Sequence, residues 1–448
     1  MISDVTKKAS VVAIVGRANV GKSSLFNSIL GRRETIVARE PGTTRDSIMA
    51  KASIDKKDFW LVDTAGLKDP ADEFELSIQD QIRETSAAAD VIILVVEADV
   101  PPVEEDRRLA TAALKSSKPV ILVINKIDKV KEADLGLWQR LGIKDMIGTS
   151  TTQKLGIDEF LDKLSAKLAS AVIRQSKNKI SLAILGRPNV GKSSLFNALA
   201  AKQQALVAPQ AGTTRDVNRL SLNYHGQEVE LADTAGIRRR GRIESGVEKF
   251  SLLRTLTAIE QSDICVLVMD VNELNVQLDQ KIAGMVKSSG KGLILVVSKW
   301  DTLEDRAKRD QIAAAIAAHF DFVPWAPLVF TSAASGQNVT KILELVLEIA
   351  VVRKLKIKTT ELNRWLTSVT AQHHPAGVRG AVPKLRYIVQ EEDAELPSFK
   401  IFGANLKLLH WSYRRYLERQ LREVWPFVGT PIKFWFINKE QSTVSNKQ

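Results

Sequence analysis

Two short glycine-rich stretches carry the residue types needed to hold a polyphosphate. They are Gly16-Arg17-Ala18-Asn19-Val20-Gly21-Lys22-Ser23 and, 170 residues later, Gly186-Arg187-Pro188-Asn189-Val190-Gly191-Lys192-Ser193. Glycines let successive backbone N–H groups point at an anion, and a following helix adds the positive end of its dipole. Lys22 and Lys192 would contact the outer phosphates, while the hydroxyls of Ser23 and Ser193 would ligate Mg²⁺. The alternative interpretation is a glycine-rich turn that binds no ligand. It is disfavoured because the motif occurs twice.

A second pair of motifs supplies a carboxylate and a glycine at what should be the end of a strand. The pair is Asp63-Thr64-Ala65-Gly66, followed by Leu67, and Asp233-Thr234-Ala235-Gly236, followed by Ile237. The aspartates could hold Mg²⁺ through water, and the N–H groups of Gly66 and Gly236 could contact a terminal phosphate. The aliphatic Leu67 and Ile237 cannot orient an attacking water as glutamine does, so we expect slow intrinsic hydrolysis. The catalytic residues predicted from these motifs are Lys22, Asp63, Gly66, Lys192, Asp233 and Gly236.

A third pair of motifs offers threonine hydroxyls as further magnesium ligands. Gly42-Thr43-Thr44-Arg45-Asp46 recurs as residues 212–216 at the same 170-residue offset. One threonine of each pair would complete the Mg²⁺ shell when a γ-phosphate is present. The spacing favours Thr44 and Thr214, but Thr43 and Thr213 remain possible, as does a plain solvated turn.

The choice of base is predicted from a fourth motif, which follows a strand-like apolar run. It reads Asn125-Lys126-Ile127-Asp128 in the first copy and Ser298-Lys299-Trp300-Asp301 in the second. A carboxylate accepts two hydrogen bonds from the N1–H and 2-amino groups of guanine, a pair that adenine lacks, so GTP is the expected substrate. The serine at position 298 should weaken the second pocket by about one hydrogen bond, on the order of 0.5–1.5 kcal/mol. A fifth contact is expected near Ser332 and, in uncertain register, near Ser150.

Asn19 and Asn189 lie midway along the phosphate loops and allow two interpretations. They could place a monovalent cation against the phosphates, where it would stabilise charge during hydrolysis. Alternatively, they are turn residues that tolerate a left-handed backbone. Residue type alone does not decide between the two.

These motifs need strand, loop and helix supports, and the chain provides them twice. Strand-like runs are predicted at 11–15, 59–62, 91–96 and 120–124, with counterparts at 181–185, 228–232, 264–269 and 293–297. Alternation with helical segments predicts an α/β fold in which two tandem domains each form a mostly parallel sheet with helices on both faces. We therefore predict one phosphate-binding domain at 1–172, a second at 173–355, a small α+β domain at 356–440 and a tail at 441–448.

The C-terminal region differs in composition and pattern. It predicts a helix at 361–370, strands at 384–390 and 398–402, a long helix at 406–424 and a strand at 431–437. Residues 356–440 contain fourteen Lys or Arg and eight Asp or Glu, so half of the net charge of +12 comes from this region. Such a surface favours a polyanionic partner. The aromatic residues of the long helix are expected to be core rather than platforms for bases.

Composition limits the class and compartment of the protein. The single cysteine, Cys265, excludes disulfides within the chain, and the longest apolar runs are far too short to span a membrane. The first ten residues lack the apolar core of a signal peptide. We expect a cytoplasmic protein without a membrane association, acting as a monomer.

With these motifs and several others, the chain resembles the bacterial double-GTPase family called Der or EngA. The additional segments are Glu361-Leu362-Asn363-Arg364-Trp365-Leu366, Ser412-Tyr413-Arg414-Arg415-Tyr416-Leu417-Glu418 and Gly429-Thr430-Pro431-Ile432, which lie outside any general GTPase motif. The resemblance implies two GTPase domains followed by a KH-like domain, with potassium at the cation position beside Asn19 and Asn189. It also implies GTP hydrolysis coupled to assembly of the large ribosomal subunit and its rRNA. The alternative hypothesis is an RNA-binding assembly factor in which one nucleotide pocket is structural and does not turn over.

Overall fold

The structure is a computed structural model. It describes residues 5–7, 9–31, 36–37, 49–55, 57–63, 89–130, 135–168, 172–174, 179–202, 219–232, 252–274, 277–303, 308–376, 381–392 and 394–438. The chain forms two compact units, residues 1–179 with 239–261 and residues 180–238 with 262–448. No helix among the described residues is both long and apolar enough to cross a membrane.

The first unit contains a seven-stranded sheet in which four consecutive pairings, up to one edge, are parallel. Two antiparallel strands extend one edge. In spatial order the strands are Ile36–Val37, Met49–Ile54, Lys57–Asp63, Ser10–Val15, Val91–Glu97, Val120–Asn125 and Met146–Thr149. A separate antiparallel pair joins Val5–Lys7 to Val172–Arg174. The carboxyl ends of the parallel strands meet at one edge, where the predicted motifs lie.

Helices cover both faces of this sheet, which explains why its strands are continuously apolar. Val12 and Ile14 belong to one buried cluster, with Phe26 and Phe160. Ala13 and Val15 belong to the cluster on the opposite face. A strand that is buried on both faces has no polar alternation. The α-helices among the described residues of this unit are Lys22–Leu30, Glu104–Lys115, Ile157–Lys167 and Leu252–Glu260.

The second unit repeats the sheet with six strands. Their order is Arg219–Tyr224, Gln227–Ala232, Lys179–Leu185, Ile264–Asp270, Gly292–Ser298 and Leu328–Phe330. Its helices in this part of the chain are Lys192–Lys202, Gln277–Ser288, Arg309–His319 and Val339–Arg353. Even a small anchoring contact is repeated: the Asp90 carboxylate accepts from Val11 N at 2.9 Å, and the Asp263 carboxylate accepts from Ser181 N at 2.8 Å. The two tandem mostly parallel sheets predicted from the repeat are therefore confirmed.

A third sheet lies at the C-terminal end of the second unit. Its three strands are Lys384–Gln390, Ser398–Ala404 and Lys433–Asn438, in that order, with one antiparallel and one parallel pairing. The helices Thr359–Gln372 and Trp411–Val424 pack on one of its faces around Ile388, Phe399 and Ile401. This is the small α+β module that the sequence predicted.

The prediction of one helix at 406–424 was wrong for its first five residues. Residues Leu406–Leu408 form a separate 3-10 turn, and the α-helix begins at Trp411. Asn405 takes a left-handed conformation and Leu409 an extended one, so the backbone breaks before the helix. His410 caps the helix by accepting from Ser412 N. The apolar spacing of Leu408 and Leu409 continued the helical pattern across this break and concealed it.

Polar contacts join the C-terminal module to the six-stranded sheet inside the same unit. The guanidinium of Arg353 donates to Thr430 Oγ1 at 3.0 Å and to the carbonyl oxygens of Gly290 and Glu395 at 3.1 and 2.9 Å. Burial lowers the pKa of Arg353. The carbonyl oxygen of Gly429 also accepts a hydrogen bond from Leu293 N at 2.9 Å. Because Leu293 lies near the start of the buried strand Gly292–Ser298, this bond attaches the module to that strand.

Gly429 provides a test of this attachment. Its φ is +67°, and an added Cβ would lie 2.2 Å from Ile349 Cδ1 inside the buried cluster. We expect Gly429→Ala to lower the free energy of unfolding by about 2–4 kcal/mol, combining backbone strain with overpacking. Gly226→Ala is the matched control, because Gly226 has φ +78° with nothing within 4 Å of an added Cβ. Chemical denaturation of both variants should show a clearly larger loss for Gly429→Ala; equal losses would contradict the packing argument.

Candidate functional site

Both phosphate loops have the same backbone conformation. In the first, Gly16 and Gly21 have φ of +153° and +97°; in the second, Gly186 and Gly191 have +140° and +95°. A Cβ at Gly16 would lie 2.4 Å from the carbonyl oxygen of Val95, so this position requires glycine for space as well as for conformation. Each loop leads directly into a helix, Lys22–Leu30 or Lys192–Lys202. The structure therefore places both glycine turns at helix N-termini, the position that the motif predicted and that suits an anion.

The loop lysines are held over the turns by backbone carbonyl groups. Lys22 Nζ donates to the carbonyl oxygen of Gly16 at 2.8 Å and also to that of Arg17. Lys192 Nζ donates to the carbonyl oxygen of Arg187. Lys22 is only 6% exposed, so its charge is concentrated inside the loop. An ammonium group in this position can contact phosphate oxygens bound by the loop.

The first site brings together Ser23, a predicted magnesium ligand, and Asp63, which was predicted to hold the ion through water. Ser23 Oγ donates to Asp63 Oδ2 at 2.6 Å, although the two residues are 40 positions apart. Asp63 is the last residue of its strand and is 4% exposed. A hydroxyl and a carboxylate oxygen at this separation are the hard oxygen donors that Mg²⁺ takes, so the residues present fit that ion. Within the described residues, no group of three or more His, Cys, Asp or Glu forms another candidate metal site.

An arginine anchors each loop to a buried carboxylate, an arrangement that the sequence analysis missed. Arg17 Nε donates to Asp106 Oδ1 at 2.8 Å, and Arg187 Nε contacts both oxygens of Asp279 at 3.1 and 3.3 Å. Asp106 and Asp279 are 0% and 1% exposed. Burial raises the pKa of Asp279 to about 6, although Arg187 acts to lower it. This anchor of the second loop is therefore charged at neutral pH and weakens as the pH falls through about 6.

The motifs predicted to select the base occupy matching tight turns. Lys126 and Lys299 are left-handed, with φ of +65° and +56°, and each precedes a 3-10 turn, Ile127–Lys129 or Trp300–Thr302. Lys126 Nζ donates to the carbonyl oxygen of Asn19 at 2.8 Å, which ties this motif to the phosphate loop. Asp128 and Asp301 lie within these turns and are exposed. Their carboxylates are thus accessible at the same edge as the loops.

Asn125 connects two loops and does not face outward. It is 0% exposed; its Nδ2 donates to the carbonyl oxygen of Val20 at 3.1 Å, and its Oδ1 accepts from Thr149 Oγ1 at 3.3 Å and from Thr151 N at 3.4 Å. Ser298 keeps the loop contact, because its Oγ donates to the carbonyl oxygen of Val190. The carbonyl oxygen of Met269, 3.0 Å away, is a second acceptor for the same single hydrogen. The serine therefore keeps the bond to the phosphate loop but not the bridge to the neighbouring loop.

The alignment of the fifth motif between the two copies, which the sequence left uncertain, follows from matching turns at Ser150 and Ser332. Ser150 pairs with Leu155 and Ser332 with Gln337 as isolated bridges. Ser150 Oγ accepts from Gln153 N and Ser332 Oγ accepts from Ser335 N, both at 3.1 Å. Ser150 therefore corresponds to Ser332.

The bridging role of Asn125 leads to a moderate prediction. We expect Asn125→Ser to keep the bond to the loop and lose the contacts with Thr149 and Thr151. This should weaken binding of GDP at the first site by roughly two- to ten-fold, the value of about one net hydrogen bond. Fluorescent GDP titrated against Asn125→Ser in a Lys192→Ala background, compared with Lys192→Ala alone, measures this site by itself. A loss above a hundred-fold would mean that Asn125 contacts the base directly.

Asn19 and Asn189 are both left-handed, with φ of +64° and +63°. Their conformation agrees with the turn interpretation, and it is also compatible with a side chain directed at a bound cation. The remaining predicted site residues lie outside the described residues. They are Thr43, Thr44, Thr64, Ala65, Gly66, Leu67, Thr213, Thr214, Asp233, Thr234, Ala235, Gly236 and Ile237.

Comparison with known proteins agrees with this geometry. A family model described as "50S ribosome-binding GTPase" matches residues 11–126 and again 181–299. A second model, described as the KH-domain-like C-terminal region of EngA bacterial GTPase enzymes, matches residues 356–436. GTPase Der of Chloroflexus aggregans is 41% identical over 442 residues, covering 96% of this chain and 98% of its own. GTPase Der of Thermomicrobium roseum is 40% identical over 447 residues, covering 96% of each chain.

The chain belongs to the Der family of GTPases. It is accordingly an α/β protein with two GTPase domains and a KH-like module, and it binds and hydrolyses GTP. The family resemblance predicted from segments outside the GTPase motifs is confirmed. The two loops described above lie within the two regions that match the GTPase family model.

Proposed function

We propose that this Der-family GTPase is a nucleotide-driven switch with two working sites that acts in assembly of the large ribosomal subunit. The observation that carries the proposal is the duplication of a whole constellation. In both copies a left-handed glycine loop, a lysine folded over it, an anchoring arginine and a Lys-X-Asp turn occur together. A duplicated constellation favours two functional nucleotide sites over one.

Each residue set has a distinct proposed task. The loops 16–23 and 186–193 bind the phosphates through backbone N–H groups, and Lys22 and Lys192 balance charge on the outer phosphates. Asp128 and Asp301 select guanine, with Lys126 and Lys299 fixing the turns. Thr64 to Leu67 and Thr234 to Ile237 would respond to the terminal phosphate, with Gly66 and Gly236 donating N–H bonds.

Magnesium would be held by Ser23 with Asp63 and by Ser193 with Asp233, joined by Thr44 and Thr214. When bound, it supplies positive charge that stabilises the phosphates during transfer to water. Ser23 and Asp63 contribute the oxygen donors and hold each other in place through their mutual hydrogen bond. Potassium beside Asn19 and Asn189 is proposed to assist, because Leu67 and Ile237 cannot position water themselves.

The proposed domain limits are 1–172 and 173–355 for the GTPase domains, 356–440 for the KH-like domain and 441–448 for the tail. The partner is proposed to be a precursor of the large ribosomal subunit and its rRNA. The matching family model carries "50S ribosome-binding" in its name, and the net charge of +12 suits a polyanionic partner. A cytoplasmic monomer fits this role.

Co-sedimentation tests the proposed partner. Purified chain is incubated with large-subunit precursors in the presence of GDP or of a non-hydrolysable GTP analogue. We expect retention on the particles to differ at least several-fold between the two nucleotides, since a switch must bind its target in one state more tightly. Equal retention, or none with either nucleotide, would contradict the proposal.

The second candidate function is an RNA-binding assembly factor with one structural nucleotide pocket. The contact pattern of Ser298 favours it, because the second site lacks the bridge that Asn125 makes between loops. The lysine variants in the Discussion separate the two candidates.

A further inference from the structure

Each phosphate loop is attached to a buried carboxylate by the arginine that follows its first glycine. Asp106 and Asp279, which accept from Arg17 and Arg187, are 0% and 1% exposed. Burial of an ion pair costs desolvation energy, and apolar side chains of similar volume are often at least as stabilising in its place. Stability alone therefore does not account for a buried ion pair in both copies.

The anchor is present in both copies although the spacing between its members differs. Arg17 and Asp106 are 89 positions apart, whereas Arg187 and Asp279 are 92 positions apart. Each aspartate is nonetheless the third residue of its helix and is buried there. The two copies thus form the same pairing from chain segments of different length, which indicates a role at the phosphate loop.

The same arginines hold the loop lysines through their backbone. The carbonyl oxygen of Arg17 accepts from Lys22 Nζ, and that of Arg187 accepts from Lys192 Nζ. The glycine before each arginine has φ of +153° in the first loop and +140° in the second. Because glycine places few restraints on the backbone, fixing the arginine side chain at its far end restricts the direction of the arginine carbonyl group.

From this connected series of contacts we propose that Asp106 and Asp279 are positioning residues of the two GTPase sites. Each aspartate orients its arginine, the arginine carbonyl orients the loop lysine, and the lysine ammonium then meets the outer phosphates in the geometry that hydrolysis needs. Misplacement of a group by about 1 Å can cost about a hundred-fold in rate. The turns predicted to select the base are separate from this anchor, so its loss should affect hydrolysis more than binding. The inference rests on the proposed function in that both sites hydrolyse GTP.

The second site offers the sharper test, because the two aspartates differ in their other contacts. Asp106 Oδ2 also accepts from Val103 N at 3.1 Å, a bond at the start of its own helix. Both oxygens of Asp279 contact Arg187 Nε. Arg187 forms a further ion pair with Glu273 at 2.9 Å, but the Glu273 side chain is 67% exposed and contributes little. Asp279→Asn therefore removes the buried charge while keeping an acceptor oxygen and the shape of the side chain.

The test is single-turnover hydrolysis of GTP by the full-length chain in a Lys22→Ala background, so that only the second site contributes. We expect Asp279→Asn to slow hydrolysis by about ten-fold, while the affinity for fluorescent GDP falls by less than about three-fold. Arg187→Met should slow hydrolysis at least as much, because it removes the anchor altogether. Asp310→Asn is the matched control, since Asp310 also lies in the first turn of a helix of this unit but is exposed. It should hydrolyse GTP at the rate of the background.

The double variant of Asp279→Asn with Arg187→Met separates positioning from independent effects on packing. If the aspartate acts through the arginine, its replacement has no further effect once the arginine is absent. The double variant should then hydrolyse GTP within about two-fold of the rate of Arg187→Met alone, whereas independent effects would multiply. Thermal unfolding checks that each variant is folded. If Arg187→Met unfolds early, Arg187→Gln takes its place in the same comparison.

Several results would overturn the inference. Hydrolysis within about two-fold of the background in folded Asp279→Asn would do so, as would equal losses of hydrolysis and GDP affinity. Losses that multiply in the double variant would also overturn it. Absence of hydrolysis in Lys22→Ala alone would contradict the proposed function instead. The inference is then tested at the first site by Asp106→Asn and Arg17→Met in a Lys192→Ala background, with the same expected results.

Discussion

Lys22→Ala should remove GTP turnover at the first site and leave the second site active, and Lys192→Ala should do the reverse. Each ammonium group lies inside its glycine loop, held by loop carbonyls, and no other lysine is part of either motif. Loss of such a preorganised charge should reduce turnover at the affected site by at least about a hundred-fold. The measurement is steady-state phosphate release by each single variant and by the double variant.

The pattern among these variants decides between the candidate functions. Two working sites predict that each single variant keeps the turnover of its intact site and that the double variant retains about 1% or less. If one single variant alone loses all turnover, the other pocket is structural. Lys115→Ala is the control, since Lys115 is an exposed lysine at the end of a helix in the first unit. Its turnover should match that of the unaltered chain.

Asp128→Asn and Asp301→Asn should change the preferred base from guanine to xanthine, each at its own site. A carboxylate accepts from the guanine N1–H and 2-amino groups, while an asparagine amide donates to the 2-oxo group of xanthine and accepts from its N1–H. A site built for specific hydrogen bonds rejects the wrong partner strongly, so affinity for GDP should fall by about a thousand-fold or more. Competition between fluorescent GDP and unlabelled XDP measures the change in base preference. The other site is disabled in this experiment by its lysine variant.

Asp321→Asn serves as the control for this exchange, because Asp321 is an exposed carboxylate outside both motifs. It should leave the preference for GDP unchanged. GDP affinity that stays within ten-fold in Asp128→Asn and Asp301→Asn would show that these carboxylates do not read the base.

The strands and loops of the site were predictable because their sequence signals are local. Continuous apolar runs such as 11–15 and 91–96 are buried on both faces, which leaves little room for polar residues, and the first glycine loop follows the run at 11–15 directly. The strand Met49–Ile54 was not predicted, because its alternation of Ala50, Ala52 and Ile54 with Lys51 and Ser53 depends mostly on alanine, a residue type depleted in strands. The break before Trp411 was hidden by leucines at helical spacing.

The side-chain anchors could not be predicted from local patterns. Arg17 and Asp106 are 89 positions apart, and only folding brings them to 2.8 Å. The one available signal was that an arginine follows the first glycine in both copies of the loop. Similarly, the bonds of Asn125 to Val20 and Thr149, which join two loops, could not be predicted from the motif that assigned this residue to the base pocket.

The number of guanine nucleotides bound per chain tests the central claim most directly. Fluorescent GDP titrated into the chain at micromolar concentration should saturate at two equivalents and be displaced by GTP but not by ATP. Saturation at a single equivalent, or displacement by ATP as effective as by GTP, would contradict two guanine-selective sites.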